Sequence, residues 1–439
     1  MSDNSLVQIK IEIQKQIGLT IEKPIHLKIL QVAIENTTGE IIGYNTLRRF
    51  FGFLNETSPN SKTLNVLSRF LGQNSYNDFK KHYLKDNDWL IWMRIIEIEN
   101  REIILESDIL WLMDQINTQD YHIKIGSIIK AFIYNKNYIA LNQIFDYRLF
   151  SIDESTKLKL ALNICLLFQN LSEKNYKQII KKIVSNTVFR ENILHWFIDY
   201  SHFNGYYGAF INASLKYSIK GSHEELFCEL IINYNNYLSN KNKLKYIEAS
   251  RIKDSFFEVL RGRGFAYNLL YFNQKKDSVS YEKNWELIIV KTKEAINLNL
   301  FFFEIIPALI ILKDFNKIRF LITNYYEDLL DFTNWSAHAV QSIVLMAHTI
   351  TLIDEGKIKE SKKNFSSINL SNVNYSYYNY NKIFYLITLY HIGLNEKHSK
   401  MELNKIELEY TTLINKIGFY KFSSNYLKNY FIDKIEIDN

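Results

Sequence analysis

From Trp89 onward, apolar residues recur at helical spacing for most of the chain. Recurrence at i, i+3, i+4 and i+7 marks a helix with one face in a core. Leu90, Trp92, Met93, Ile96 and Ile98 lead one such segment, and Ile103, Ile104, Ile109, Leu110, Leu112 and Met113 the next. The same spacing predicts helices over Ile123–Ile133, Tyr138–Phe145, Lys157–Leu171, Tyr176–Val184, Phe189–Phe203, Ala209–Tyr217, Glu224–Leu238 and Tyr246–Leu260. It continues over Trp285–Asn297, Leu300–Leu312, Lys317–Leu330, Trp335–Ile353, Asn379–Ile392, Met401–Ile417 and Phe422–Phe431. Most of these span three or four turns, a common helix length. Gly262–Tyr281, with Gln274-Lys275-Lys276-Asp277-Ser278, and the Ser/Asn/Tyr-rich Ser361–Asn381 read as loops.

Before Lys85–Asp88 the pattern is tighter and better punctuated. Leu6–Ile17 and His26–Thr37 read as helices, the second stopped at Thr38-Gly39, where glycine takes the left-handed conformation that ends helices. Gly43–Phe51 is a further helical stretch closed by Gly52. Leu54–Ser61 is a polar loop holding Pro59, Thr63–Leu71 a helix closed by Gly72, and Ser75–Tyr83 a last helix with Ser75 at its N-cap. The expected fold class is therefore all-α: a small helix-turn-helix-like domain over residues 1–84, then a degenerate, solenoid-like α-helical array over 85–439, divided near 262–281. Paired antiparallel helices stacked in series would give that rhythm; an irregular helical bundle is the alternative.

Composition supports helices over sheets. Only 3 prolines and 14 glycines occur in 439 residues, too few for the turns of a β protein of this size. Hydrophobic residues make up 47% and charged residues 23%, as in globular chains. The net charge of +6 permits a polyanionic partner without demanding one. Cys165 and Cys228 are too few for a disulfide framework and read as buried thiols. The longest apolar run, near Ile289–Leu312, is interrupted by Lys291, Lys293, Glu294 and Glu304, whereas a membrane span needs about 20 nearly uncharged residues. No secretory signal opens the chain. A cytoplasmic protein without a membrane partner is expected.

The segment with most chemical information is Leu27–Phe79. Gly52, Pro59, Ser61, Thr63, Leu64, Leu67, Leu71 and Gly72 stand where the Cro and phage-repressor helix-turn-helix family has its corresponding residues. This stretch of roughly 55 residues resembles that family. Phe51 replaces the family's usual Glu, the glutamines that often open its second and third helices are absent, and the loop after Gly52 is slightly long. The resemblance implies a recognition helix beginning at Tyr44, double-stranded DNA as partner, and a homodimer on paired half-sites. It supports the fold more strongly than the reading of DNA.

Independently, a helix in the major groove needs planar or short polar side chains outward. Asn can make two bonds to adenine and Arg two to guanine. Tyr44, Asn45, Thr46, Arg48 and Arg49 supply that set, with Leu47 and Phe50 inward. Lys62, Arg69, Lys80 and Lys81 are candidates for phosphate contacts. Met1–Leu84 carries seven Lys and three Arg against seven acids, a mild local excess. The alternatives are that Arg48 and Arg49 form a solvated face or contact the helical array, and that the same fold serves protein interaction.

Other constellations are read structurally. Arg261-Gly262-Arg263-Gly264 lacks the phosphate-loop pattern and its preceding strand and reads as a basic interhelical turn. His195, His202, His223 and Cys228 lack the tight pairing of zinc ligands. Asp153-Glu154 and Glu224-Glu225 suit helix N-termini. Asn204-Gly205-Tyr206-Tyr207-Gly208 reads as a close-packed junction, with a ligand-facing tyrosine patch as the alternative. No catalytic site, metal or cofactor is expected. The expected function is a DNA-binding regulator whose array senses a peptide or protein, similar in layout to peptide-sensing regulators with tetratricopeptide-like repeats. The alternative is a non-catalytic adaptor or scaffold, including one in a bacterial defence or regulatory system.

Overall fold

A computed structural model describes residues 4–55, 59–241, 244–330 and 337–432, side chains excepted at 4, 81–88 and 337. Lys81, Trp335 and the middle of the Leu54–Ser61 loop thus lie outside the described side chains. Every regular element among the described residues is helical. Packing divides the chain into two compact units, Met1–Ile98 and Glu99–Asn439.

The first unit comprises α1 (Asn4–Ile17), α2 (His26–Thr38), α3 (Tyr44–Phe50), α4 (Ser61–Phe70) and the start of α5 (Tyr76–Glu99). Alternate faces of these helices are apolar, and they close over one core. Ile9, Ile13, Leu27, Leu30, Ile34, Leu47, Leu67 and Phe79 are its fully buried members. α2 packs on both α3 and α4, and α1 packs on α4. Hydrogen bonding explains where helices stop. At the end of α3, Phe53 N–H reaches back to Arg48 O at 2.8 Å while Gly52 takes a φ of 79°, a conformation costly for any side chain. α4 closes the same way at Gly72, with Gln73 N–H on Ser68 O at 2.9 Å. Asn60 caps α4, its Oδ1 accepting from Thr63 N–H at 2.8 Å. The final helix does not stop at Tyr83: α5 runs on through Lys85–Asp88 to Glu99.

The second unit begins with α6 (Glu106–Gln115), α7 (Tyr121–Tyr134), α8 (Tyr138–Ile144), α9 (Glu154–Gln169), α10 (Glu173–Ile183) and α11 (Thr187–Phe189). α11 passes into a wide π turn, Arg190–Leu194, followed by a 3₁₀ turn at Tyr200–His202. Phe189–Phe203 is therefore not one helix. Next come α12 (Tyr206–Ser214), α13 (His223–Leu238), α14 (Glu258–Lys275), α15 (Ser278–Thr292), α16 (Leu298–Phe302) and α17 (Ile305–Leu312). The last group is α18 (Phe315–Leu330), α19 (Ala337–Asp354), α20 (Ile358–Phe365), α21 (Tyr375–Asn395), α22 (Lys400–Ile417) and α23 (Ser424–Lys428).

Several sequence expectations change here. Tyr246–Leu260 is largely irregular, with only a 3₁₀ turn at Ala249–Arg251, because α14 begins at Glu258. Leu300–Leu312 is broken between Phe302 and Ile305. Gly262–Tyr281 is no loop: it holds most of α14 and the start of α15, joined at Lys276 in the left-handed conformation and capped by Asp277. Ser361–Asn381 likewise contains the end of α20 and the start of α21.

The Arg261–Gly264 tetrapeptide lies inside α14. Both arginines are 3% exposed, so it forms neither a turn nor a surface basic spot. Gly262 is needed because α14 presses on α16: a Cβ there would stand 1.9 Å from Phe301 O. Many helices of this unit pack on their sequence neighbours, as α18 does on α19 and α21 on α22. Long-range bonds are added to that pattern. Asn204 Nδ2 donates to Ile417 O at 3.0 Å, Tyr375 OH to Leu162 O at 2.6 Å and Tyr430 OH to Ile310 O at 2.7 Å. A strictly linear array would join neighbours alone.

Among the described residues no helix is long and apolar enough to cross a membrane.

Candidate nucleic-acid interface

α3 is short, and its two faces are cleanly divided. Leu47 and Phe50 are buried in the core of the first unit, which fixes the rotation of the helix. Asn45 and Arg49 are left exposed one turn apart, with Tyr44, Thr46 and Arg48 half-buried beside them. Residues four apart share a helix face, so Asn45 and Arg49 form the outward edge.

The neighbours of this edge are structural. Tyr44 OH donates to Pro24 O at 3.0 Å, tying the start of α3 to the turn before α2. The Arg48 guanidinium lies 5.8 Å from the Tyr44 ring centroid and donates to Asn45 Oδ1 at 3.4 Å. Its Nε is buried without a hydrogen-bond partner. Arg48 is thus folded back along the helix, while Arg49 borders an open hollow with Gly52, Phe53, Leu54 and Asn55. The turn between α2 and α3 is held by Gln31 Nε2 on Ile42 O at 2.8 Å.

The cation candidates differ in availability. Lys62 is exposed at the start of α4. Arg69 Nη2 lies 2.5 Å from Glu40 Oε1, in the turn between α2 and α3. Lys80 Nζ sits 4.7 Å over the Tyr76 ring. Glu40 is a residue that sequence reasoning missed, because the partner it neutralises is 29 positions away.

A second missed feature is apolar. Ile25, Ile29 and Val32 are each 56% exposed. They lie at the start of α2 and along it at i, i+4 and i+7, hence on one face. Residues of this type scattered singly need no explanation, but a stripe does.

The constellations of the second unit resolve into packing. His202 Nδ1 is 3.0 Å from Asp199 Oδ2, whereas His195 Nε2 is 3.3 Å from Ser214 Oγ and 3.7 Å from Cys228 Sγ. Among the described residues no group of three or more His, Cys, Asp or Glu is placed to hold a metal ion. Cys165 and Cys228 are buried free thiols. Burial raises both, Cys228 to about 12, which leaves no thiolate for nucleophilic chemistry near neutral pH. Tyr206 and Tyr207 are buried, with hydroxyls on Asp199 and Phe197 O, so they form no ligand-facing patch. Asp153 and Ser222 cap α9 and α13, placing Glu154, Glu224 and Glu225 in first turns; Glu224 is further committed to a buried pair with Arg190.

Comparison with family models, curated proteins and solved structures found no match to this chain.

Proposed function

We propose that the chain is a DNA-binding regulator. In this reading α2 and α3 form a helix-turn-helix pair of the phage-repressor type, and α3 enters the major groove. The second unit is a degenerate, tetratricopeptide-like array that binds a peptide or protein partner, and its occupancy biases the state of the first unit. The observation that carries the reading is the exposed pair Asn45 and Arg49, one turn apart on a helix whose opposite face is anchored by Leu47 and Phe50. These are the side chains that read adenine and guanine edges with two bonds each. Lys62, and Arg69 once released from Glu40, would position the phosphates.

The test is fluorescence anisotropy of full-length protein on genomic DNA fragments, between about 50 and 200 mM salt. Binding with a clear salt slope, lost in Asn45→Ala/Arg49→Ala, supports the regulator. No binding at micromolar protein and low salt overturns it.

A second reading has its own observation. The Ile25–Ile29–Val32 stripe on α2 is apolar where a phosphate-facing helix would carry polar or cationic groups. It suits an adaptor that docks a protein through the same unit. In that case Ile29→Asp abolishes partner capture and leaves the thermal midpoint unchanged, while Arg49→Ala has no effect on capture.

A further inference from the structure

The second unit contains a cleft of about 320 Å³, within the size range of small-molecule sites. Its lining is built from five separated stretches of chain. Aromatic side chains dominate it, with Trp196, Phe227, Phe257 and Tyr377 all contributing. Trp196 and Phe257 meet edge to face at 6.0 Å.

One wall comes from the π turn at Arg190–Leu194. There His195 N–H bonds to Arg190 O at 2.9 Å, five residues back. Such turns are rare and concentrate at functional sites. This one brings Asn192 and His195 onto the lining. Burial holds His195 at about 3, so it is neutral at physiological pH.

The polar chemistry of the lining favours an acceptor. Arg263 belongs to the cleft yet is 3% exposed. Glu304 Oε1 takes one of its N–H groups at 3.0 Å, and the other Glu304 oxygen accepts from Tyr200 OH at 2.6 Å. The guanidinium Nε is buried with no hydrogen-bond partner. A guanidinium carries five N–H donors and no acceptor, and leaving such donors unmet in a buried place is costly. Lys157 adds a second donor-only group, its Nζ 5.4 Å over the Trp196 ring. The single carboxylate of the lining, Glu191, is exposed.

We infer that this cleft binds a small carboxylate with an aromatic or branched apolar body, the body against Trp196, Phe227 and Phe257 and the carboxylate toward Lys157 and Arg263. The volume fits one such molecule rather than a run of peptide. The inference concerns the second unit alone and stands whether or not the first unit binds DNA.

The test is calorimetry and ligand-observed NMR on the full chain with 3-phenylpropionate, indole-3-acetate and 4-methylpentanoate, each beside its amide. Saturable binding of an acid is expected, with its amide about tenfold weaker for want of a charge-assisted bond. Val259→Trp, which places an indole on the lining, should abolish binding with the helical circular dichroism intact. Lys157→Ala should weaken the acid about threefold and leave the amide unchanged; it decides the matter if Val259→Trp does not fold. The inference is overturned if none of the acids binds at millimolar concentration, or if acid and amide bind equally. It is also overturned if binding survives in folded Val259→Trp, or if a blocked peptide ending in Phe outcompetes the free acids.

Discussion

Arg263 and Glu304 meet at 3.0 Å across 41 positions of sequence, and their side chains are 3% and 2% exposed. Removing one partner of such a pair strands a buried charge, at a cost of about 3–5 kcal/mol. Glu304→Leu should therefore lower unfolding stability in urea by that amount, and Arg263→Leu should do the same. The double variant should recover most of the loss, because an apolar replacement of both partners removes the stranded charge. Equal losses in the double and single variants would show that the pair is not the coupled unit.

Acid should destabilise the second unit through its buried histidines. His391 Nε2 donates to Leu427 O at 2.7 Å. Burial lowers His391 to about 4 and His195 to about 3, against about 6.5 in the unfolded chain. The unfolded state thus takes up protons first as pH falls. Stability is full above about pH 6.5 and declines toward pH 4, by up to about 2.7 kcal/mol per pH unit for two sites. Urea midpoints measured across that window should show the decline, and His391→Gln should halve the slope attributed to the pair. A flat profile from pH 7 to 5 would refute this.

Packing at one helix crossing should tolerate no added methyl. Gly262→Ala would drive a Cβ into Phe301 O, so a loss of about 3 kcal/mol is expected. Gly126→Ala, in α7, meets only Leu160 Cδ1 at 3.5 Å. It should be neutral or stabilising by up to about 1 kcal/mol, since alanine is the better helix former. Differential scanning calorimetry of the two variants separates close approach from helix propensity.

The Glu40–Arg69 ion pair should act as a brake on any polyanion. Its side chains are 37% and 38% exposed, so Glu40→Gln should change stability by less than about 1 kcal/mol. If the first unit binds DNA, the freed guanidinium should raise affinity about threefold to tenfold at low salt. The log–log salt slope should steepen by about 0.9, one phosphate's worth. Unchanged affinity and slope would remove Arg69 from the phosphate-contacting set.

The helical class and the inward turn of Leu47 and Phe50 were legible because helical periodicity is local. So were Gly52 and Gly72, where one backbone conformation demands one residue type. What escaped was set by distant partners. Arg261 and Arg263 read as a surface turn because charge ordinarily means exposure, yet the carboxylate that makes burial of Arg263 tolerable lies in the Phe302–Ile305 break between α16 and α17. Ile247 and Ile252 are buried, so the apolar content of Tyr246–Leu260 signalled burial correctly. It could not tell irregular buried chain from helix. In the candidate interface, α3 could be located from sequence. The restraint of Arg48 by Tyr44, the neutralisation of Arg69 and the aromatic cleft behind the π turn all depend on tertiary placement.

The bond from Asn204 to Ile417 O has a counterpart nearby, Lys421 N–H on Leu238 O at 2.9 Å. Together they make the order of synthesis matter. The partners in the first bond are 213 positions apart, and translation at roughly 5–20 residues per second separates their emergence by roughly ten to forty seconds. During that interval the Ile417 carbonyl that Asn204 meets and the N–H that the Leu238 carbonyl accepts are still missing, so this junction closes only after the end of α22 has emerged.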